Sequence, residues 1–269
     1  MAKKRLDVLL VERGLFPSRE KAQGAILAGQ VFIGDGRGTK AGDLVDEETA
    51  VEVRGPALPY VSRGGLKLEK ALRTFPIELA GKVCLDIGAS TGGFTDCMLQ
   101  NGASRVYAVD VGYGQLAWQL RTDSRVVVME RTNFRHVKPG DIGEAVDFAS
   151  VDVSFISLSL ILPAAATVLK PDAQMVCLVK PQFEAGREKV GKKGVVRDPA
   201  VHREVVLACC GHAKRNGFTV CGLSWSPIRG PEGNIEYLMW ISREAGDDID
   251  FEREAARVVE ASHREGDIG

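Results

Sequence analysis

Between Cys84 and Phe94 a short apolar run, Cys84-Leu85-Asp86-Ile87, collapses into Gly88-Ala89-Ser90-Thr91-Gly92-Gly93 and then into a helix-like segment. A stretch of this kind has few ways to fold: it is read as a buried strand ending in a glycine-rich turn that feeds a helix. Glycine admits backbone dihedrals closed to other residues and lets a ligand come close to the chain. The first turn of the following helix offers N–H groups without intrahelical partners. Spacing then separates ligand classes. A phosphate-cradling loop needs Gly-Lys-Ser/Thr where this chain has Gly92-Gly93-Phe94, and the fingerprint Gly-x-Gly-x-x-Gly fails because Ala89-Ser90 follows Gly88.

An acidic residue two positions before the first glycine, Asp86, is instead the pattern of loops that hold S-adenosylmethionine. The next strand adds a second signal. Val106-Tyr107-Ala108-Val109 ends in Asp110, at the distance where a ribose-binding carboxylate stands in this class of fold. Each signal alone fits a ligand-free turn or a strand-end cap, and together they favour the cofactor. The expected lining is Asp86, Gly88, Ser90, Thr91, Gly92, Gly93 and Asp110, with Thr132-Asn133 on the adenine side and Gly92 keeping open the space the ligand needs.

The chain has 269 residues, room for one full α/β domain and a smaller companion. Hydrophobic residues at 45% and charged ones at 26% imply a packed core rather than disorder. Beyond residue 61, apolar runs alternate with helical patterns, the signature of a doubly wound sheet. Strands are expected near Val83–Ile87, 106–109, Val126–Met129, Val146–Val151, 174–179, 218–223 and 236–241. Asp198-Pro199 supplies an N-cap and a first-turn proline for a helix that runs to Asn216 and stops at Gly217. Ahead of this region, Leu6, Leu9 and Leu10 make one helical face ending at Gly14. Ser18 caps a second helix carrying Ala22, Ala25 and Ile26 before Gly29; Val31-Phe32-Ile33 reads as a short strand and Asp35-Gly36 as a hairpin turn. Residues 55–61, stiffened by Pro56 and Pro59, form a candidate linker.

The net charge of −1 hides an asymmetry. Lys3, Lys4, Arg5, Arg13, Arg19 and Lys21 outweigh Asp7, Glu12 and Glu20 near the start, residues 180–197 are basic again, and the tail from Glu244 is acidic. Two separated basic regions suit a polyanionic partner, although solvated faces also carry such charge. The six cysteines include no Cys-x-x-Cys pair, so neither a zinc site nor a disulfide framework is expected. The apolar stretch 155–169 is interrupted by Ser157, Ser159 and Pro163 and is too short to span a bilayer. With no signal peptide at the start, a cytoplasmic protein without membrane association is expected. Nothing in the residues sets an oligomeric state.

Doubly wound sheets build their sites at the carboxyl ends of strands. Asp152 ends the fourth strand and Lys180 the fifth; Glu236 lies in Gly233-Asn234-Ile235-Glu236-Tyr237 and Lys67 in Ser62-Arg63-Gly64-Gly65-Leu66-Lys67. Ser62-Arg63-Gly64, Gly88-Ala89-Ser90-Thr91-Gly92-Gly93-Phe94-Thr95, Val109-Asp110-Val111-Gly112-Tyr113-Gly114-Gln115-Leu116, Asp152-Val153-Ser154-Phe155-Ile156-Ser157 and Lys180-Pro181-Gln182-Phe183-Glu184 resemble the TlyA family. The helix-turn-helix-strand unit at the start resembles the αL RNA-binding module of a ribosomal protein, pseudouridine synthases and tyrosyl-tRNA synthetases.

The resemblance implies a small αL-type RNA-binding domain over residues 1–54, the linker 55–61, and an FtsJ-like methyltransferase domain over 62–269. The latter would be an α/β, Rossmann-like, doubly wound, seven-stranded unit. It implies S-adenosylmethionine-dependent 2′-O-methylation of cytidine in ribosomal RNA, with ribosomal RNA or ribosomal subunits as partners and no metal. A Lys-Asp-Lys-Glu tetrad then falls on Lys67, Asp152, Lys180 and Glu236, and Arg5, Arg13, Arg19, Lys21 and Arg63 face RNA. Where some members carry a basic residue and a tryptophan in the linker, this chain has Leu58-Pro59-Tyr60-Val61. The alternatives are a non-catalytic RNA-binding assembly factor and, from the haemolysin label that TlyA-like proteins have carried, a membrane-active protein. Intact loop and tetrad residues speak against the first, and the lack of a spanning or strongly amphipathic apolar segment against the second.

Four such residues suit the reaction. A ribose hydroxyl is too weak an acid to attack a sulfonium methyl unaided, so a site must take its proton and stabilise the oxyanion. A lysine base would need its pKa of about 10.4 lowered by roughly three units, worth about 4 kcal/mol, through burial beside a second cation. Lys180 is expected as base or oxyanion stabiliser, Lys67 as that cation, and Asp152 and Glu236 as the residues that orient the lysines.

Overall fold

A computed structural model of the chain describes residues 3–266 apart from 17, 28, 35, 39 and 55–57. The N-terminal module runs β1 (Lys3–Arg5), α1 (Leu6–Glu12), α2 (Arg19–Leu27), β2 (Val31–Ile33), β3 (Gly36–Arg37), β4 (Leu44–Asp46) and β5 (Val51–Val53). Leu6, Leu9 and Leu10 on α1 meet Ala22, Ala25 and Ile26 on α2, with Val31 and Val45 closing the cluster. The i, i+3, i+4 spacing of both apolar sets turns one face of each helix inward. β2 pairs antiparallel with β3 and β5, while β1 pairs antiparallel with β4. The β1–β4 pair was not expected, because Lys3-Lys4-Arg5 is an all-charged edge strand that carries no apolar alternation. The expected turn residue Asp35 and linker residues 55–57 lie outside the described residues.

The second unit runs α3 (Gly64–Thr74), β6 (Val83–Ile87), α4 (Gly93–Gln100), β7 (Arg105–Val109), α5 (Trp118–Arg121), β8 (Val126–Met129), β9 (Val146–Val151) and α6 (Leu162–Val168). It continues with β10 (Leu169–Val179), α7 (Pro181–Glu184), α8 (Pro199–Arg215), β11 (Thr219–Trp225), β12 (Tyr237–Ser242) and α9 (Phe251–Gly266). Its strands form one seven-stranded sheet in the order β11-β12-β10-β9-β6-β7-β8. β6, β7, β8, β9 and β10 are parallel, and β12 runs antiparallel to both β10 and β11. One buried cluster packs α6, α8 and α9 against the sheet, and the other packs α3 and α4.

All seven expected strands are present, with shifted ends. β10 begins at Leu169, with an irregularity between Leu169 and Gln174, and β12 begins one residue after Glu236. Asp198 caps α8 by accepting from the Ala200 N–H at 2.8 Å, Pro199 opens the helix, and Gly217 at φ +74° follows its end. α9 was not anticipated, although Ala255, Val258 and Val259 are buried at helical spacing within the acidic tail. Among the described residues, no helix is long and apolar enough to cross a membrane.

Two consequences position the site. β6 has β7 on one side and β9 on the other, so the strand order reverses at the carboxyl end of β6, where open α/β sheets bind ligands. Because β12 is antiparallel, its first residues lie at the same end of the sheet as the carboxyl ends of β9 and β10.

Candidate active site

The turn after β6 is left-handed at Gly88 (φ +88°), Ser90 (φ +49°) and Gly92 (φ +98°). A Cβ on Gly88 would lie 2.6 Å from the carbonyl oxygen of Asp152, and the Asp152 N–H donates to Ile87 O at 3.0 Å. Glycine here lets the β6 turn and the segment after β9 touch backbone to backbone. Gly92 carries a packing constraint as well. A Cβ there would meet Leu120 Cδ1 at 2.3 Å and Leu116 Cδ1 at 2.8 Å, so the missing side chain makes room for the protein's own leucines. Gly93 likewise closes α4 onto α3, its Cβ direction ending 2.4 Å from Ser62 Oγ.

Asp86, expected in the cofactor lining, is 0% exposed. Its Oδ2 accepts from Thr95 N (2.9 Å) and Thr95 Oγ1 (2.7 Å), and its Oδ1 from Ser150 Oγ (3.1 Å). It therefore ties β6 to β9 and satisfies a first-turn N–H of α4, which Gly92 has no side chain to cap. Burial pushes its pKa up to about 6, even though the Thr95 and Ser150 hydrogen bonds pull the other way.

Asp110 stays at the surface of the crevice, half-buried. Its Oδ2 accepts from Ser90 N and its Oδ1 from Gly112 N, both at 2.7 Å. A carboxylate has about four acceptor positions, so two amides leave capacity for two hydroxyls. Thr132 N donates to Asp110 O at 2.9 Å, which starts the Thr132-Asn133 segment beside Asp110. Asn133 caps a short turn, accepting from Arg135 N at 3.3 Å. Thr91, half-buried, accepts from Ala117 N, and Ser90 Oγ donates to Gln115 Oε1 at 3.4 Å. Gln115 was overlooked as a neighbour of this loop, although its Gly112-Tyr113-Gly114 turn follows Asp110 directly.

The four tetrad candidates come together as one chain of charges. Lys180 Nζ lies 2.5 Å from Asp152 Oδ1, Lys67 Nζ lies 3.5 Å from Asp152 Oδ2, and Lys67 Nζ donates to Glu236 Oε2 at 2.7 Å. Lys180 also donates to Ser154 Oγ at 3.2 Å. Each residue comes from a different element: Lys67 from α3, Asp152 and Lys180 from just past β9 and β10, Glu236 from just before β12. Lys67 is thus on a helix ahead of the sheet rather than at a strand end. α3 is held in place by the linker's last residues: Tyr60 packs on Gly65, Val61 N donates to Asp96 Oδ2 at 2.8 Å, and Gln100 Nε2 donates to Pro59 O at 2.9 Å.

The charges alternate, with Asp152 between the two lysines. Burial disfavours the Lys67 ammonium, but Asp152 and Glu236 outweigh it and hold its pKa above the ordinary value. Burial disfavours the Asp152 carboxylate too, and Lys67 and Lys180 more than offset this, leaving its pKa below the usual range.

The RNA-facing candidates lie apart from the tetrad, on the other module, except for exposed Arg63 one turn before Lys67. Arg5 Nε (3.0 Å), Arg19 Nη2 (3.0 Å) and Gln23 Nε2 (2.7 Å) all donate to Asp7, which is 0% exposed. Those contacts, Arg5 foremost, hold the Asp7 pKa well below the carboxylate range. Arg13 Nη1 donates to Thr49 O at 2.8 Å, and Lys21 is exposed.

Residues 60–243 match the family described as FtsJ-like methyltransferase, and residues 4–51 match the S4 domain. Over 267 residues the chain is 55% identical to YqxC of Bacillus subtilis (strain 168), named there as a candidate rRNA methyltransferase, covering 97% of this chain and 95% of that one. It is 49% identical, over 88% of its length and 89% of the relative's, to the 16S/23S rRNA (cytidine-2′-O)-methyltransferase TlyA of Mycobacterium tuberculosis (strain H37Rv). A solved structure described as a candidate hemolysin from Streptococcus thermophilus superposes with a TM-score of 0.81 at 48% identity, over 100% of this chain and 98% of that one.

Proposed function

Because the chain belongs to the FtsJ-like methyltransferase family and carries an S4 domain ahead of it, we propose that it methylates the 2′-hydroxyl of a cytidine in ribosomal RNA, using S-adenosylmethionine. The observation that carries this reading is the Lys180–Asp152–Lys67–Glu236 chain, joined to the β6 turn by the backbone contact of Gly88 and Asp152.

The crevice fits the methyl donor. Asp110 has acceptor capacity left for the two ribose hydroxyls, the Ser90-Thr91 turn is open beside it, and Thr132-Asn133 begins at the same edge. S-adenosylmethionine, when bound, supplies an electrophilic methyl on a sulfonium. The chain's own residues do the rest. Lys180, pinned by Asp152 and Ser154, orients the 2′-hydroxyl and stabilises the negative charge that grows on its oxygen as the hydroxyl proton passes to water. Lys67 and Glu236 hold Asp152 in place from behind, so the lysine needs little reorganisation during the reaction. The S4 module, built on exposed Lys21 and the half-exposed Arg5 and Arg19, docks RNA backbone. A ribosomal substrate places the work on ribosomal subunits in the cytoplasm.

The test is transfer from methyl-labelled S-adenosylmethionine to purified ribosomal subunits, followed by digestion to nucleosides and mass spectrometry. The proposal expects label in 2′-O-methylcytidine. Label in a methylated base, or none in either subunit, would refute it.

A further inference from the structure

We propose that Gln182 is a positioning residue of the tetrad: its side-chain amide holds Glu236 so that this carboxylate presents its other oxygen to Lys67. The inference rests on the methyl-transfer reading above for its kinetic consequence, and on geometry alone for its structural one. Glu236 is 1% exposed. Its Oε2 is taken by Lys67, and its Oε1 accepts from Gln182 Nε2 at 3.2 Å. Gly230 closes the remaining side, since a Cβ there would fall 2.3 Å from Glu236 Oε1. The carboxylate therefore faces Lys67 from α3, Gln182 from α7 and backbone at Gly230; Asp152 and Lys180 reach it only through Lys67.

α7 is itself anchored. Glu184, two residues after Gln182, accepts from Ser157 Oγ (2.6 Å) and Leu158 N (2.8 Å) in the segment that follows Asp152. One short helix thus connects the Asp152 side of the tetrad to the Glu236 side, with Lys180 at its N-cap. The orientation of the Gln182 amide is also fixed. Its Oε1 is buried with no donor among the described residues, and turning the amide over would set that oxygen against the Glu236 carboxylate. A buried acceptor without a partner is costly, so holding the N–H on Glu236 outweighs satisfying the amide oxygen.

Removing the N–H would leave one oxygen of a buried carboxylate unsatisfied and free Glu236 to shift away from Lys67. Gln182→Met keeps the length of the side chain and removes the donor; Gln182→Glu adds a second carboxyl facing Glu236. For Gln182→Met the expected loss in kcat is about tenfold, with KM for S-adenosylmethionine close to the parent. Gln182→Glu, which sets a second carboxyl against Glu236, should lower kcat further. A second readout needs no turnover: nitrogen-15 NMR of the Lys67 ammonium, whose resonance should move in Gln182→Met. A kcat within about twofold of the parent, or an unmoved Lys67 resonance, would overturn the assignment. A protein that methylates nothing would instead refute the proposed function, and the Lys67 resonance would still decide the role of Gln182.

Discussion

The carbonyl oxygen of Asp152 sits 2.6 Å from the point where a side chain on Gly88 would begin. That contact sets the turn after β6 directly against the residue that bridges Lys67 and Lys180. A side chain at 88 would push the two apart and would also have to adopt φ +88°. Gly88→Ala should therefore lower both stability and methyl transfer, the strain alone costing about 1–3 kcal/mol. Thermal unfolding and single-turnover rates measured on the same preparation check this; a variant with parental stability and rate would show that the contact is dispensable.

Lys180→Ala removes the group held on Asp152 and Ser154 without touching Asp110 or the Ser90 turn. Methyl transfer should fall by about a hundredfold to a thousandfold, the scale of losing one donor to a developing oxyanion. S-adenosylmethionine affinity by calorimetry should stay within a few fold. Near-parental single-turnover rates would remove Lys180 from the chemistry.

Gly92 and Leu120 make a structural prediction. Gly92→Ala should destabilise the protein because its methyl meets Leu120, and Leu120→Ala in the same chain should recover part of that loss, the rest being the strain of φ +98°. Melting temperatures of the two single variants and the double variant measure the coupling. Simple additivity would show that the leucine is not what demands glycine.

The pKa of Asp86 is raised from an ordinary 3.8 to about 6, so between those values the folded state binds a proton that the unfolded state has released. Its contribution to stability is therefore greatest below about pH 4 and falls as pH rises through about 6. Asp86→Asn should gain on the parent across that window by about 3 kcal/mol, as read from denaturant unfolding at several pH values. A difference between the two proteins that does not change with pH would contradict the buried, charge-disfavouring setting of this carboxyl.

In the S4 module, Asp7 separates RNA docking from folding. Arg5→Ala removes one of the two arginines paired with the buried Asp7 carboxylate and should lower the melting temperature as well as RNA affinity. Lys21→Ala should leave stability intact and reduce the slope of log affinity against log salt by about one unit. An RNA affinity series across salt decides this, and a slope unchanged in Lys21→Ala would exclude that phosphate contact.

What the sequence made legible was local. The β6 strand and its turn could be read because Cys84 to Phe94 is one continuous stretch whose period, glycines and following helix agree. The strand-end positions of Asp110, Asp152 and Lys180 followed from apolar runs in the same way. The reason for Gly92 was hidden, since it lies with Leu116 and Leu120, two dozen or so residues further on. The partners of Asp86, Thr95 and Ser150, come from other elements and were equally hidden. The order of charges in the tetrad was equally out of reach: Lys67 and Glu236 meet across the whole domain, and only the antiparallel course of β12 brings Glu236 to that end of the sheet. The edge strand Lys3–Arg5 was missed because it has no apolar residue to alternate, and helix α9 because charged residues separate its apolar positions.

The most direct test compares ribosomal RNA from cells whose only copy of the gene encodes either the parent protein or Lys180→Ala, by nucleoside mass spectrometry of each subunit. The account predicts 2′-O-methylcytidine that depends on the protein in the parent and is absent in the variant, while both proteins accumulate equally and bind S-adenosylmethionine alike. Equal 2′-O-methylcytidine in the two strains, or a protein-dependent methyl group found on a base, would contradict it.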